Sequence, residues 1–383
     1  MYQMLEDENS KAFIVLKDGK IVLEKYFGTF TKDSIWYWAS AGKTLTAALV
    51  GIAQKDGYLN IDSSTSKYIG NGWSSAPLNK EKLITVKHQL TMTSGFDDGV
   101  PDNHCTIDTC LQYLADAGTR WAYHNAPYTI LDSVIENATA QNFNQYFNTK
   151  LRNKIGMNGL WLNVDYDHVY FSNARSFARY GLLLLNKGNW SGTSVIADSN
   201  YYASMVNTSQ TLNNSYGYLT WLNGKSSYMV PESQITIGGS ILEDAPNDMF
   251  MALGKNGQFI NVVPSHNLVL IRMGNVPSDN NPLPFLLNNT IWKWMNKLMC
   301  NESSIQGIEL NKINISPNPT NNTINISSQE KIQYPIRLFD MHGDFIRNEY
   351  SHLIEVSKLP SGIYFLSVNA NGAVHNVKFV KLN

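Results

Sequence analysis

Two β-rich runs, AFIVLK and KIVLEKYF, flank Asp18-Gly19 near the start of the chain. Both turn residues tolerate positive φ, so this pattern predicts an antiparallel hairpin. From Ser40 onward, Leu45, Ala48, Leu49 and Ile52 recur at i, i+3, i+4, i+7, and Lys55-Asp56-Gly57 supplies a stop, which predicts a helix with one buried face. Shorter helical runs follow in APYTILDSVIENA and ARSFARYGLLLLNKG, separated by loops of Asn, Gly and Ser. Strands return in DMFMALGKNGQFINVVPSHNLVLIRMG, with turns near Lys255-Asn256-Gly257 and Pro264-Ser265-His266-Asn267, and FLLNNTIWKWMNKLM closes the section as an apolar helix. Strands at both ends of a helical middle imply an α+β domain, in which an antiparallel sheet flanked by helices is assembled from both ends and carries a mainly helical insertion.

After Cys300 the pattern changes. NESSIQGIELNKINISPNPTNNTINISS is polar and rich in Asn, and the remainder alternates apolar and polar residues between Gly and Asn turns, which predicts a small all-β sandwich. A chain of 383 residues fits two domains on length alone. The expected boundaries are 1–302 for the α+β domain, 303–312 for a linker and 313–383 for the sandwich.

Charged residues make up only 16% of the chain, so the surface is polar through Asn, Ser, Thr and Tyr. A net charge of −1 without a basic stripe argues against nucleic acid as a partner, and no apolar run is long enough for a membrane span. The opening MYQMLEDENSKAFIVL is acidic and lacks the apolar region and cleavage site of a secretory signal, so by itself it reads as cytosolic or already processed. Cys105 and Cys110 bracket TIDT at a spacing that closes a small loop as a disulfide in an oxidising compartment and leaves two thiols in a reducing one. Zinc fits poorly there, because His104 adds one ligand and no second pair follows at finger spacing.

The sequence has no G-x-S-x-G elbow, H-E-x-x-H helix, P-loop or dinucleotide turn. A nucleophile therefore needs a base other than a triad histidine, and Ser40-x-x-Lys43 offers one. Positions i and i+3 at a helix start share a face, and the helix N-terminus favours a developing alkoxide. An ordinary lysine titrates near 10.4, so Lys43 must be desolvated before it can accept a proton, and the aromatic lead-in Trp36, Tyr37 and Trp38 is a candidate source. Ser64-x-x-Lys67 has the same spacing, but only Ser40 opens an amphipathic helix. Tyr123-His124-Asn125 places a phenol that can relay protons beside an amide that can orient a lysine and a carbonyl. Lys255-Asn256-Gly257, in a strand-like stretch, can add a backbone N–H for an oxyanion and a positive charge that lowers the pKa of Lys43.

In this order, with LTMTSGF between the first two elements, these motifs resemble the serine β-lactamase and penicillin-binding-protein superfamily, in particular its class C-like branch of β-lactamases, D-alanyl-D-alanine peptidases, carboxylesterases and 6-aminohexanoate-dimer hydrolases. The resemblance covers about residues 11–299 and is carried by WASAGKTLTAALVGIAQKDG, WAYHNAPYTIL, ARSFARYGLLLLNKG and ALGKNGQFINVVPSHNLVLIRMG. It implies Ser40 as acylated nucleophile, Lys43 as its base, Tyr123 as proton relay and Asn125 as the orienting amide. Lys255 and Gly257 fall on the strand motif, and the backbone N–H groups of Ser40 and Gln258 on the oxyanion hole; no metal or organic cofactor is implied. Asn256 departs from the Thr or Ser hydroxyl that grips a substrate carboxylate in β-lactamases and peptidases, which favours small esters or amides over penicillins or D-Ala-D-Ala. A non-catalytic binding protein on the same fold is the alternative from another class. Substrate choice is expected to reside in DDGVPDNHCTIDTCLQYLADAG and NNSYGYLTWLNGKSSYMVPES, whose aromatic residues predict a largely neutral, aromatic-walled cleft. The tail, through ISPNPTNNTINI and LPSGIYFLSV, resembles the C-terminal sorting domain of the type IX secretion system of Bacteroidetes, implying secretion machinery as a partner and a secreted or cell-surface location.

Overall fold

The computed structural model describes residues 1–278, 284–299, 313–328, 331–370 and 373–382. Within them the chain divides into two compact units, Met1–Lys225 with Ser240–Asn296, and Ser226–Gly239 with Lys297–Asn383. The linker expected at 303–312 and Cys300 lie outside the described residues. The segment 226–239, which the sequence reading placed in the first domain, groups with the second unit.

The first unit is built on a six-stranded antiparallel sheet. Its strands are β1 (Ser10–Lys17), β2 (Lys20–Tyr26), β3 (Trp221–Leu222), β4 (Phe250–Gly254), β5 (Gln258–Val263) and β6 (Leu268–Gly274), in the order β2-β1-β6-β5-β4-β3. The two ends of the domain's sequence thus meet at the β1–β6 pair, where Ile14 faces Ile271, and Ile271 in turn faces Ile260 on β5. Asp18 and Gly19 join β1 to β2 with φ of 52° and 73°, the left-handed pair that a two-residue hairpin needs. Central strands β5 and β6 are buried along their whole length, and they read as near-continuous apolar runs for that reason.

The helices that position the site are α1 (Lys43–Lys55), α2 (Asn125–Thr139), α3 (Ala174–Leu185) and α4 (Phe285–Leu298). The sequence pattern predicted one buried face for α1, yet every residue from Lys43 to Ala53 is buried. The small residues between its leucines explain this. Gly51 leaves room for the Tyr201 ring, which a Cβ at that position would meet at 2.4 Å. Tyr201 and Tyr180 then donate to the carbonyls of Ala47 and Thr44 at 2.7 and 2.6 Å. A helix enclosed on all sides is held at fixed depth, and so is whatever its first turn carries.

The second unit contains the tail, where a three-stranded and a four-stranded antiparallel sheet enclose Ile324, Ile326, Ile336, Leu338, Ile354, Val356, Leu366, Val368 and Phe379. This is the sandwich that the alternating pattern predicts.

Candidate active site

Ser40 does not belong to α1. It sits in a 3₁₀ turn, Ala39–Gly42, that leads into the helix at Lys43. Ala39 has φ of 47°, a left-handed conformation that a residue with a Cβ adopts at some cost and that the surroundings must enforce. Trp38 does much of this enforcing. It is fully buried among Tyr170, Phe177 and Tyr180, its indole donates to Ser172 Oγ at 2.8 Å, and its backbone N–H donates to Tyr170 O at 2.8 Å.

From the first turn of α1, Lys43 Nζ reaches Ser40 Oγ at 2.9 Å and Asn125 Oδ1 at 2.8 Å. Lys43 is 4% exposed, and burial brings its pKa down to about 8, with the charge of Asp167 pulling the other way. The rings over its ammonium are those of Tyr128 and Tyr123, at 4.4 and 5.2 Å. The Trp36–Trp38 lead-in buttresses the turn instead, with Trp36 donating to Gly274 O. Lys255, the other expected influence on Lys43, is exposed and is not among the causes of the shift. Desolvation depresses a lysine because the charged form loses hydration that the neutral amine hardly needs.

Tyr123 is buried, and burial pushes its pKa well above the ordinary value, with the Ser40 side chain pulling the other way. The two shifts assign the protonation states. With a pKa about 8, roughly a tenth of Lys43 is neutral at pH 7, whereas the Tyr123 phenolate is negligible. Lys43 is therefore the group able to accept a proton, and Tyr123 is a neutral donor.

Asn125 opens α2, and its amide continues beyond Lys43, since Nδ2 lies 3.2 Å from His104 Nε2. His104 Nδ1 lies 2.8 Å from both carboxylate oxygens of Asp167. The structure joins the adjacent Cys105 to Cys110 as a disulfide with Cα atoms 5.8 Å apart.

The fourth side of the site is the β4–β5 hairpin. The turn expected near Lys255-Asn256-Gly257 is present, with Asn256 and Gly257 at φ of 64° and 75°, so this motif, also read as part of a strand-like stretch, is the hairpin turn itself. Asn256 Nδ2 donates to Tyr37 Oη at 2.9 Å, so its amide is already engaged. Gln258 faces Gly254 across the ladder, and its side chain exchanges hydrogen bonds with the backbone of Gly274. The fully buried Arg272 ties the turn down by donating to the carbonyls of Asn256 and Gly257, both at 2.9 Å, and to Ser10 Oγ. The hairpin abuts the Ser40 turn through Gly254, where a Cβ would lie 2.4 Å from Trp38 O and 3.0 Å from Ala41 N. Gly254 has φ of −132°, open to any residue, so the demand for glycine is one of space. Gly254→Ala is expected to push the hairpin off the turn and lower kcat about tenfold or more. Parallel steady-state kinetics and thermal unfolding would check this; unaltered kcat would mean that the hairpin is not part of the site.

Among proteins of known sequence, the Beta-lactamase family matches residues 5–286, about three quarters of the chain. The chain belongs to the Beta-lactamase family. Residues 314–382 match the Secretion system C-terminal sorting domain. An uncharacterized protein of Alkalihalophilus pseudofirmus is 23% identical over 308 residues, covering 71% of this chain and 85% of that one. A provisionally assigned beta-lactamase from Bacteroides dorei superposes with a TM-score of 0.62 at 16% identity, covering 79% and 97% of the two chains. A provisionally assigned 6-aminohexanoate-dimer hydrolase from Bacillus anthracis gives 0.60 at 17%, covering 79% and 83%. At these identities the superpositions speak for the fold.

In this Beta-lactamase family chain, sequence reading named Ser40, Lys43, Tyr123 and Asn125, and the structure brings all four together. It missed Tyr128, Gly254, Arg272, His104 and Asp167. Tyr128 is one turn from Asn125 on α2 and carried a usable signal, whereas Asp167 is 63 residues from its partner His104 and carried none. The aromatic residues expected to wall a cleft are largely buried behind the site. Tyr216 and Trp221 pack against Trp121 and Tyr123, with the Trp221 and Tyr123 rings stacked at 5.7 Å. No cluster of His, Cys, Asp and Glu suited to a metal occurs among the described residues.

Proposed function

We propose that the first domain is a serine hydrolase working through an acyl-enzyme. Ser40 Oγ attacks an ester or amide carbonyl and its proton passes to neutral Lys43. The oxyanion is held by backbone N–H groups of Ser40 and of the hairpin end around Gly254 and Gln258. The neutral Tyr123 phenol then gives its proton to the leaving group and is reprotonated from Lys43. Water completes the cycle by cleaving the acyl ester, with the same amine and phenol moving its proton. The observation that carries this reading is the buried Lys43 amine, 2.9 Å from Ser40 Oγ with its pKa brought down to about 8.

Small neutral esters or amides suit the site better than penicillins or D-Ala-D-Ala. A substrate carboxylate calls for a free hydroxyl beside Lys255, and Asn256 offers an amide already given to Tyr37. The sorting-domain match supports export through a type IX secretion machinery, with the enzyme at the cell surface or released.

The test is intact-mass analysis after incubation with a fluorophosphonate, then a substrate panel of nitrophenyl esters of short acids, a linear amide and nitrocefin. The expected outcome is one adduct mapping to Ser40, with esters or the amide turned over in preference to nitrocefin. A protein that gains no adduct and turns nothing over would be a binding protein on this fold.

A further inference from the structure

The Lys43–Asn125 contact is the inner end of a longer chain of hydrogen bonds, running Lys43 Nζ, Asn125 Oδ1 and Nδ2, His104 Nε2 and Nδ1, Asp167 carboxylate. An asparagine amide has no intrinsic preference for which end faces a lysine. If Nδ2 rather than Oδ1 faced Nζ, two donors would meet, and the lysine would lose the partner that aims it at Ser40. Something must therefore fix the amide.

We infer that His104, anchored by Asp167, is a positioning residue that locks Asn125 with its oxygen toward Lys43. This rests on the acyl-transfer reading above and adds residues that touch no reacting atom. Donor and acceptor roles dictate the arrangement. Asn125 Nδ2 can only donate, so His104 Nε2 must accept; the ring proton is then on Nδ1, where it donates to Asp167. A carboxylate behind a histidine selects that tautomer, because the other would set a lone pair against a negative charge.

His104 is itself placed by three ties. Its backbone N–H donates to Asp102 Oδ1 at 3.0 Å, Ala126 N–H donates to Asn103 O at 3.0 Å, and Cys105 is bonded to Cys110. The middle tie joins this loop directly to the start of α2, beside Asn125. Asp167 begins the strand Asp167–Ser172, whose far end pairs with Trp36 and Tyr37 just before the Ser40 turn. The loop, α2 and the Ser40 turn are thus registered on one another.

The test uses the full-length chain, with the reaction that Ser40 supports read as acylation by a fluorophosphonate and as ester turnover. His104→Gln can keep an acceptor near the Nε2 position, His104→Ala leaves the amide unheld, and His104→Arg presents a donor. The expected order of kcat is Gln, then Ala about tenfold below wild type, then Arg lower still, with KM within about twofold and thermal midpoints unchanged. Nearly half of the His104 side chain is exposed, so these replacements do not disturb the core. Asp167→Asn provides an independent signature. It removes the charge that raises the pKa of Lys43, so the rising limb of the pH–rate profile moves to lower pH. Equal kcat in the three His104 variants, or losses that follow unfolding temperature, would overturn the inference while Ser40-dependent chemistry stood. A wild-type protein that fails to label at Ser40 would overturn the hydrolase reading, and the role of His104 with it.

Discussion

Replacing Ser40 with alanine is expected to lower ester or amide turnover by about 10⁴-fold or more and to eliminate covalent labelling, with the fold intact. The size follows from the mechanism, in which no other group at this site can carry the acyl chain. Removing the hydroxyl leaves only binding and the oxyanion donors, and these alone retain modest catalysis. Ser40 lies in a turn whose shape is set by Trp38 and by the close approach of Gly254, neither of which depends on Oγ. Unfolding temperature should therefore barely move. Turnover in Ser40→Ala at wild-type level would remove this serine from the chemistry.

The second large effect concerns Lys43. Lys43→Met should cost about 10³-fold or more in kcat/KM, because the attacking hydroxyl loses its base, and Lys43→Arg should not rescue it, since a guanidinium does not give up its proton. In the wild type, kcat/KM should climb with pH and reach half its plateau near the amine's pKa of about 8. Stability changes with the same sign. The unfolded lysine titrates near 10.5 and the folded one at about 8, so between those values the unfolded chain binds a proton that the folded chain has released. Stability therefore increases as pH rises through that window, and below it the fold bears a penalty on the order of 3 kcal/mol. Lys43→Met should consequently be more stable than wild type near pH 6, by a margin that shrinks toward pH 10. Thermal unfolding of both proteins across pH, set beside the pH–rate profile, would check both halves; a flat profile between pH 6 and 9 would sink the assignment.

Local physics made much of this chain legible in its sequence. The Asp18-Gly19 hairpin, the helix after Ser40, the all-β tail and the Ser40–Lys43 pair each depend on neighbours within a few residues. What could not be read depends on residues brought together from afar. The enclosure of α1 comes from Tyr180 and Tyr201 more than 130 residues later. The apolar spacing showed one face and could not show that Gly51 admits a ring on another. The desolvation of Lys43 was expected from Trp36–Trp38, which are near in sequence, whereas the rings found over its ammonium are those of Tyr123 and Tyr128, brought from about 80 residues away. Lys255-Asn256-Gly257 was legible as a turn between apolar runs, but only a buried arginine on the next strand shows what holds it.

The stack of Trp221 on the Tyr123 ring, with Trp121 and Tyr216 packed around it, has a practical consequence. The ring centroids of the two indoles lie 5.7 and 6.5 Å from that of Tyr123. Should the proposed acyl-enzyme form at Ser40, these two of the nine tryptophans would be placed to report it, and rapid mixing with unlabelled substrates would be expected to show an emission change that Ser40→Ala lacks.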